Sequence, residues 1–130
     1  MRPQRYGSAS AEDLYRLCIR SGALNMPWWD LQDNDDDPTD DDWYVVIAVG
    51  GGEFDPQRRR LDSARLWMAI LACATGRIDS VHDQTAAACR RLAAAVELDQ
   101  TGFNAWVANE VMQVALLGQV HWPIPEASEE

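Results

Sequence analysis

Hydrophobic residues recur with the period of an amphipathic helix along most of the chain. Ser10 is a predicted helix N-cap, because Asp13 follows it at the capping-box position, and Gly22 is expected to end this helix. A second helical pattern spans 55–75, where an initial Asp-Pro pair is typical of a helix start. Its second half, 66–74, is apolar on every side, which indicates a buried central helix.

Two further helices are predicted in the C-terminal half of the chain. Ser80 is the expected N-cap of the first, and Thr101 is expected to start the last, which Gly118 ends. The last helix has an apolar stripe with helical spacing, made of Phe103, Trp106, Val107, Val111, Val114 and Leu117. Both helices are therefore expected to turn one face towards a shared core.

Residues 43–49 are compatible with either a strand or a helix. Their β-branched residues are typical of a strand, but 120–124 is the only candidate for a partner strand. Thr39 can instead cap a helix whose first turn holds the aspartates at 40–42, where the helix dipole favours negative charge. Gly50 supplies a stop for that helix. The sequence therefore favours a helix here and leaves a short strand as the alternative.

The fold predicted from these patterns is all-α, a compact bundle of about five helices with one long acidic loop. A chain of 130 residues is expected to form a single helical domain, 1–130. Residues 1–9 are expected to form a loose N-terminal arm and 119–130 a C-terminal tail. Residues 23–38 have no helical period and are expected to form the long loop.

The charge of the chain is concentrated in one segment. Residues 21–57 hold ten acidic residues and no Arg or Lys, and the formal net charge of the chain is -10. The rest of the chain has eleven acidic residues and eleven arginines, so it is neutral. Eight of the thirteen residues from Asp30 to Asp42 are aspartate. A localised field of this kind influences which partners a protein binds.

Composition narrows the classes of function. Because the net charge is negative, neither nucleic acid nor an anionic membrane is expected as a direct ligand. Cys18, Cys73 and Cys89 are widely spaced among apolar neighbours and are predicted to be buried free thiols. Neither His82 nor His121 lies in a catalytic motif, so no catalytic residue and no enzyme activity are predicted. The N-terminus lacks a secretory pattern, so a cytoplasmic protein is expected.

The aspartate run partly matches a calcium-binding EF-hand loop. Asp33, Asp35 and Asp37 occupy its first, third and fifth positions. The match fails at the sixth position, where Pro38 replaces the required Gly. It fails again at the twelfth, where Tyr44 replaces a bidentate Glu. We therefore predict no metal site and no cofactor.

Three structural roles compete with a functional role for the aspartates. Those at 40–42, with Asp55, can serve as helix caps and first-turn acids. The run can also fold back on Arg58, Arg59 and Arg60, whose charge is unfavourable at a helix N-terminus unless it is compensated. Finally, it can form a solvated loop that aids solubility. These alternatives leave open whether the acidic run is exposed.

The functional hypothesis is an acidic surface that binds a basic one. Aspartates on an extended chain approximate the charge spacing of a nucleic-acid strand, since residues and phosphates both repeat about every 3.3–3.4 Å. Tryptophans beside a charged patch are typical of interface anchors. The predicted partner-binding residues are Trp28, Trp29, Asp30, Asp33, Asp35, Asp36, Asp37, Asp40, Asp41 and Asp42.

In size and charge layout the chain is similar to small acidic nucleic-acid mimics, such as phage anti-restriction and anti-CRISPR proteins. The similarity rests on size and charge alone, so no residue role follows from it. The sequence thus predicts a non-enzymatic DNA-mimic inhibitor that occludes the basic, nucleic-acid-binding surface of a partner protein. The alternative is a helical adaptor or immunity-type protein-interaction module with an incidental acidic loop. A small metal-dependent enzyme is the third class considered.

Overall fold

The computed structural model describes residues 5–6, 9–26, 28–34, 43–49, 57–94, 97–122 and 124. The helices within them are α1 (Ala11–Cys18), α2 (Ser63–Ala74), α3 (Asp83–Ala93) and α4 (Ala105–Leu117). The strands are β1 (Arg5–Tyr6), β2 (Ala9–Ser10), β3 (Trp29–Asn34), β4 (Tyr44–Val49) and β5 (Gln57–Asp62). Short 3₁₀ turns lie at Ala23–Asn25 and Leu98–Gln100. None of the described helices is long and apolar enough to cross a membrane.

The all-α prediction is wrong, because a three-stranded antiparallel sheet forms in the first half of the chain. Its strand order is β3-β4-β5, with β4 in the centre. Residues 43–49, for which a helix is predicted, supply β4. Its two partners come from segments without a predicted strand, namely 29–34 in the predicted loop and 57–62 in the predicted helix. Pairing on both sides outweighs the local capping signals.

The side chains of β4 alternate between two environments. Val45 and Ile47 are fully buried, and they share their face of the sheet with Leu61 of β5 and Trp29 of β3. Val46, between them, is half-buried on the opposite face. A slip of one residue would expose this whole apolar set, so burial of the inner face specifies the register.

The first helix begins where it is predicted to begin. The Ser10 hydroxyl accepts the Asp13 N–H at 3.1 Å, and the Asp13 carboxylate accepts the Ser10 N–H at 3.0 Å. This reciprocal pair is a capping box. The helix ends at Cys18, earlier than the expected end at Gly22.

The other helices begin at residues that the capping patterns do not single out. Asp62 caps α2, because the residues before it belong to β5. His82 rather than Ser80 caps α3, and Asn104 rather than Thr101 caps α4. For α3 and α4 the expected cap lies within three residues of the observed one, so the patterns locate these two helices but not their first residue. For α2 the expected and observed caps are seven residues apart.

The N-terminal segment and the large sheet meet at α1. Residues 5–6 pair with 9–10 in a two-stranded ladder, which includes part of the segment 1–9 for which a loose arm is predicted. Trp43, just before β4, donates its indole N–H to the Ala11 carbonyl at 2.7 Å. The rings of Tyr15 and Trp43 meet edge to face, with centroids 5.0 Å apart. These contacts fix one end of β4 to the first helix.

The central helix is α4, which contacts α1, α2, α3 and β5. Every residue from Val107 to Val114 is buried. The helix expected at the centre, α2, is buried on one side only, since Met68 is 67% exposed. A helix buried on all sides must provide a hydrogen-bond partner for each of its polar side chains. The buried polar residues of α4 therefore define the candidate site.

We expect Ile47→Ala to lower the free energy of unfolding by about 2–5 kcal/mol, because it truncates a fully buried side chain. Val46→Ala, on the other face of β4, is expected to cost about 1 kcal/mol or less. Urea denaturation followed by circular dichroism measures both values. Equal losses at the two neighbouring positions would contradict the alternation of β4.

Candidate functional site

Three polar side chains of α4 are completely buried: Asn109, Glu110 and Gln113. Gln113 lies four residues after the first and three after the second, so the three side chains lie side by side on the helix. Each is hydrogen-bonded to groups outside α4. We call these three residues the α4 polar row.

Gln113 binds the chain that follows α4, residues 120–122 and 124, which we call the strap. Its Oε1 accepts the N–H groups of His121 at 2.7 Å and Trp122 at 2.8 Å. Its Nε2 donates to the Trp122 carbonyl at 2.8 Å. Asn109 Nδ2 donates to the same carbonyl at 3.1 Å. The strap therefore lies across the helix that precedes it.

Glu110 joins the strap to the start of α3. One carboxylate oxygen accepts the Ile124 N–H at 2.9 Å, and the other accepts the His82 N–H at 2.8 Å. This carboxylate is fully buried, and both of these hydrogen bonds are charge-assisted bonds from backbone amides. Loss of the carboxylate would leave two backbone donors without a partner.

The strap uses all of its backbone donors. The Val120 N–H is accepted by the Ser80 hydroxyl at 2.9 Å, which gives Ser80 a role other than the helix cap predicted for it. Residue 123 is proline and has no N–H. Each backbone N–H from 120 to 124 therefore has a side-chain acceptor.

Trp28 and Trp29 belong to this site. Both indole N–H groups donate to Asn109 Oδ1, at 2.8 Å and 3.0 Å respectively. The Trp28 ring stacks on Trp122, with centroids 5.2 Å apart and an interplanar angle of 4°. Trp29 is only 6% exposed, and Trp28 is half-buried. The two tryptophans therefore fix the start of β3 to α4.

The structure places only the first residues of the predicted acidic patch. Asp30 is exposed on β3, and its carboxylate accepts Gln32 Nε2 at 2.7 Å. Asp33 lies on the same strand and pairs with Val46. The remaining predicted residues lie outside the described residues; they are Asp35, Asp36, Asp37, Asp40, Asp41 and Asp42. The acidic run thus starts on an edge strand whose first residue is held by α4.

The arginines of β5 lie at the opposite edge of the sheet. Ala48 pairs with both Asp30 and Arg58, so the two charged edges are two strand spacings apart, about 10 Å. Arg58 and Arg60 are exposed, and the Arg60 guanidinium lies 4.6 Å from the centre of the Tyr44 ring. Neither arginine has a carboxylate partner within the described part of the chain. The sheet therefore has an acidic edge and a basic edge.

An apolar groove of about 560 Å³ lies between α2 and the C-terminal end of α4. Met68 is its most exposed large apolar side chain, and Ala64 and Ala72 lie one turn to either side of it. Ile78 and Ala115 line it as well. An exposed apolar surface of this kind is typical of sites that contact another protein.

The cysteines are core residues. Cys18, Cys73 and Cys89 are all buried free thiols, as predicted. Burial raises the pKa of Cys18. A hydrogen bond to Cys73, together with burial, raises the pKa of Cys89. Protonated thiols are poor nucleophiles. Among the described residues, no group of three or more His, Cys, Asp or Glu side chains is placed to hold a metal ion.

Comparison with known proteins does not identify a function for this chain. No family model, no curated protein and no solved structure matches this chain. The likeness to anti-restriction and anti-CRISPR proteins in size and charge therefore stays a prediction.

The residues that build this site carry a signal in the sequence. Asn109, Glu110 and Gln113 interrupt a helix that is otherwise apolar from Val107 to Leu117. The apolar stripe predicts which residues of this helix pack in the core. A polar residue on a helix that is otherwise apolar is the better indicator of a site. The strap has no such signal, because its hydrogen bonds use backbone groups that every sequence has.

We expect Glu110→Gln to lower the free energy of unfolding by about 1–3 kcal/mol. The new amide would turn a donor towards one of the two backbone N–H groups that the carboxylate accepts. Glu97→Gln removes one charge at an exposed position and is the control, with an expected change below about 0.5 kcal/mol. Equal urea midpoints for the two variants would mean that Glu110 does not hold the strap and α3 together.

Proposed function

We propose that the chain is a non-enzymatic binding protein whose acidic segment, 30–42, occludes the basic, nucleic-acid-binding surface of a partner protein. The placement of charge carries this proposal: the net charge of -10 lies within 21–57, and the rest of the chain is neutral. A partner with a basic groove would be attracted to one region of the molecule rather than to its whole surface.

The position of the first acidic residue supports this role. Asp30 is exposed at the start of an edge strand, so the acidic run begins on a fixed scaffold. Asn109 holds that scaffold in place through the indoles of Trp28 and Trp29. A segment fixed at one end loses less conformational freedom when it binds. The tryptophans would thus position the acids, and Leu31, at 41% exposure, offers an apolar contact beside them.

The basic edge of the sheet would orient the partner. Arg58 and Arg60 are exposed on β5 and would repel a positively charged surface. A basic partner is therefore steered towards the edge formed by β3. Because steering between charged surfaces is screened by salt, the association rate should fall as ionic strength rises.

The test compares two triple variants with the same change in net charge. One changes Asp35, Asp36 and Asp37 to Asn, and the other changes Glu126, Glu129 and Glu130 to Gln. Each chain is immobilised, incubated with cell extract and eluted with double-stranded DNA or with salt. We expect DNA to elute nucleic-acid-binding proteins from the wild type and the glutamate variant. The aspartate variant should bind the purified partner at least about tenfold more weakly.

Two results would contradict the proposal. One is equal binding by both triple variants, which would show that the location of the charge is irrelevant. The other is binding that neither salt nor DNA weakens, because an acidic mimic must compete with phosphates for the same basic residues.

A helical adaptor is the second candidate function, and the apolar groove beside Met68 is the observation that favours it. An adaptor of this kind would keep its partner when the aspartates are neutralised. It would lose that partner with Met68→Glu, which puts a charge into the exposed apolar surface. The same binding assay with this variant therefore separates the two functions.

A further inference from the structure

We propose that the α4 polar row, with Ser80 and Trp28, is a peptide-binding site whose ligand can be exchanged, so that the strap of one chain occupies the site of a second copy. This inference does not depend on the proposed function. It concerns the other end of the chain and involves none of the aspartates at 30–42.

The site recognises its ligand as a peptide receptor does. Four backbone N–H groups and one carbonyl of the strap are bound by side chains of the receptor. The Trp122 ring supplies a side-chain contact by stacking on Trp28. Main-chain bonds combined with one aromatic contact are the usual means of recognising an extended peptide. The strap is thus held in the way that an extended peptide ligand would be held.

The strap is also separable from the fold. The described residues between 119 and 124 belong to no helix or strand. Gly118 ends α4 with a φ of +83°, a left-handed conformation that turns the chain back along the same helix. If residue 118 took helical angles instead, α4 would continue and the strap would leave its own site. In the proposed exchange, the backbone conformation of residue 118 therefore selects the closed or the open arrangement.

A second copy is the occupant that the observations favour. The residues that occupy the site are 120–122 and 124 of this sequence, and every copy carries them. Exchange between two copies would retain each of the observed hydrogen bonds, which is why swapping of an identical segment costs little.

Gly118, which we call the hinge, can be tested with a matched pair of glycine variants. Gly118 and Gly76 both follow a helix with positive φ, +83° and +75°, and an added Cβ would meet nothing within 4 Å at either one. Alanine disfavours the left-handed conformation equally at both positions and favours continuation of the helix. Only Gly118 precedes the strap. We expect Gly118→Ala to lower the dissociation constant of a dimer by about tenfold or more, and Gly76→Ala to leave it unchanged.

Sedimentation velocity over a range of protein concentrations measures that constant. A synthetic peptide spanning residues 119–124 then identifies the interface, because in excess it should convert Gly118→Ala dimers into monomers. Dimers that form equally in both glycine variants would overturn the proposal. So would Gly118→Ala dimers that the peptide leaves intact, because another surface would then hold them together.

A complementation experiment does not depend on the hinge variant. Gln113→Ala weakens the site and leaves the strap intact, whereas Trp122→Ala weakens the strap and leaves Gln113 intact. We expect a mixture of the two chains to form a heterodimer at concentrations where each alone is monomeric. A mixture that stays monomeric, with both chains folded by circular dichroism, would overturn the exchange.

Discussion

The structure depends on one constraint: a polar side chain buried inside a protein must find hydrogen-bond partners. The central helix, α4, buries Asn109, Glu110 and Gln113 completely. Their partners come from three other parts of the chain, namely the strap, the start of α3 and the tryptophans before β3. Each unmet group would cost about 1–3 kcal/mol, so these bonds select the arrangement in which all three segments meet at one helix.

The same constraint links the core to the charged surface. Asn109 accepts the indole N–H groups of Trp28 and Trp29, and β3 starts at the second of these residues. The acidic run therefore begins at a fixed place on an edge strand rather than at an arbitrary point of a loop. Charged residues on an edge strand also discourage pairing with the edges of other proteins. Negative charge at this edge thus disfavours aggregation.

Local signals predicted the parts of this fold that local interactions determine. The Ser10 capping box and the left-handed Gly118 are examples, because each depends on residues within one helical turn. The sheet depends on distant pairing instead. Residues 43–49 have the composition of a strand, but their partners give weaker signals: the alternation in 29–34 covers only its first four residues, and 57–62 has a single apolar residue, Leu61. The acidic run was visible in the sequence, whereas the internal bonds of the adjacent tryptophans required the folded chain.

Amide hydrogen exchange of the strap tests this constraint most directly. If the α4 polar row and Ser80 hold the strap, the amides of Val120, His121, Trp122 and Ile124 will exchange slowly, although they lie outside helices and strands. Gln113→Ala should speed exchange at His121 and Trp122 about tenfold or more, because it removes their shared acceptor. Exchange of all four wild-type amides at the rate of an unfolded chain would contradict the central role of the polar row.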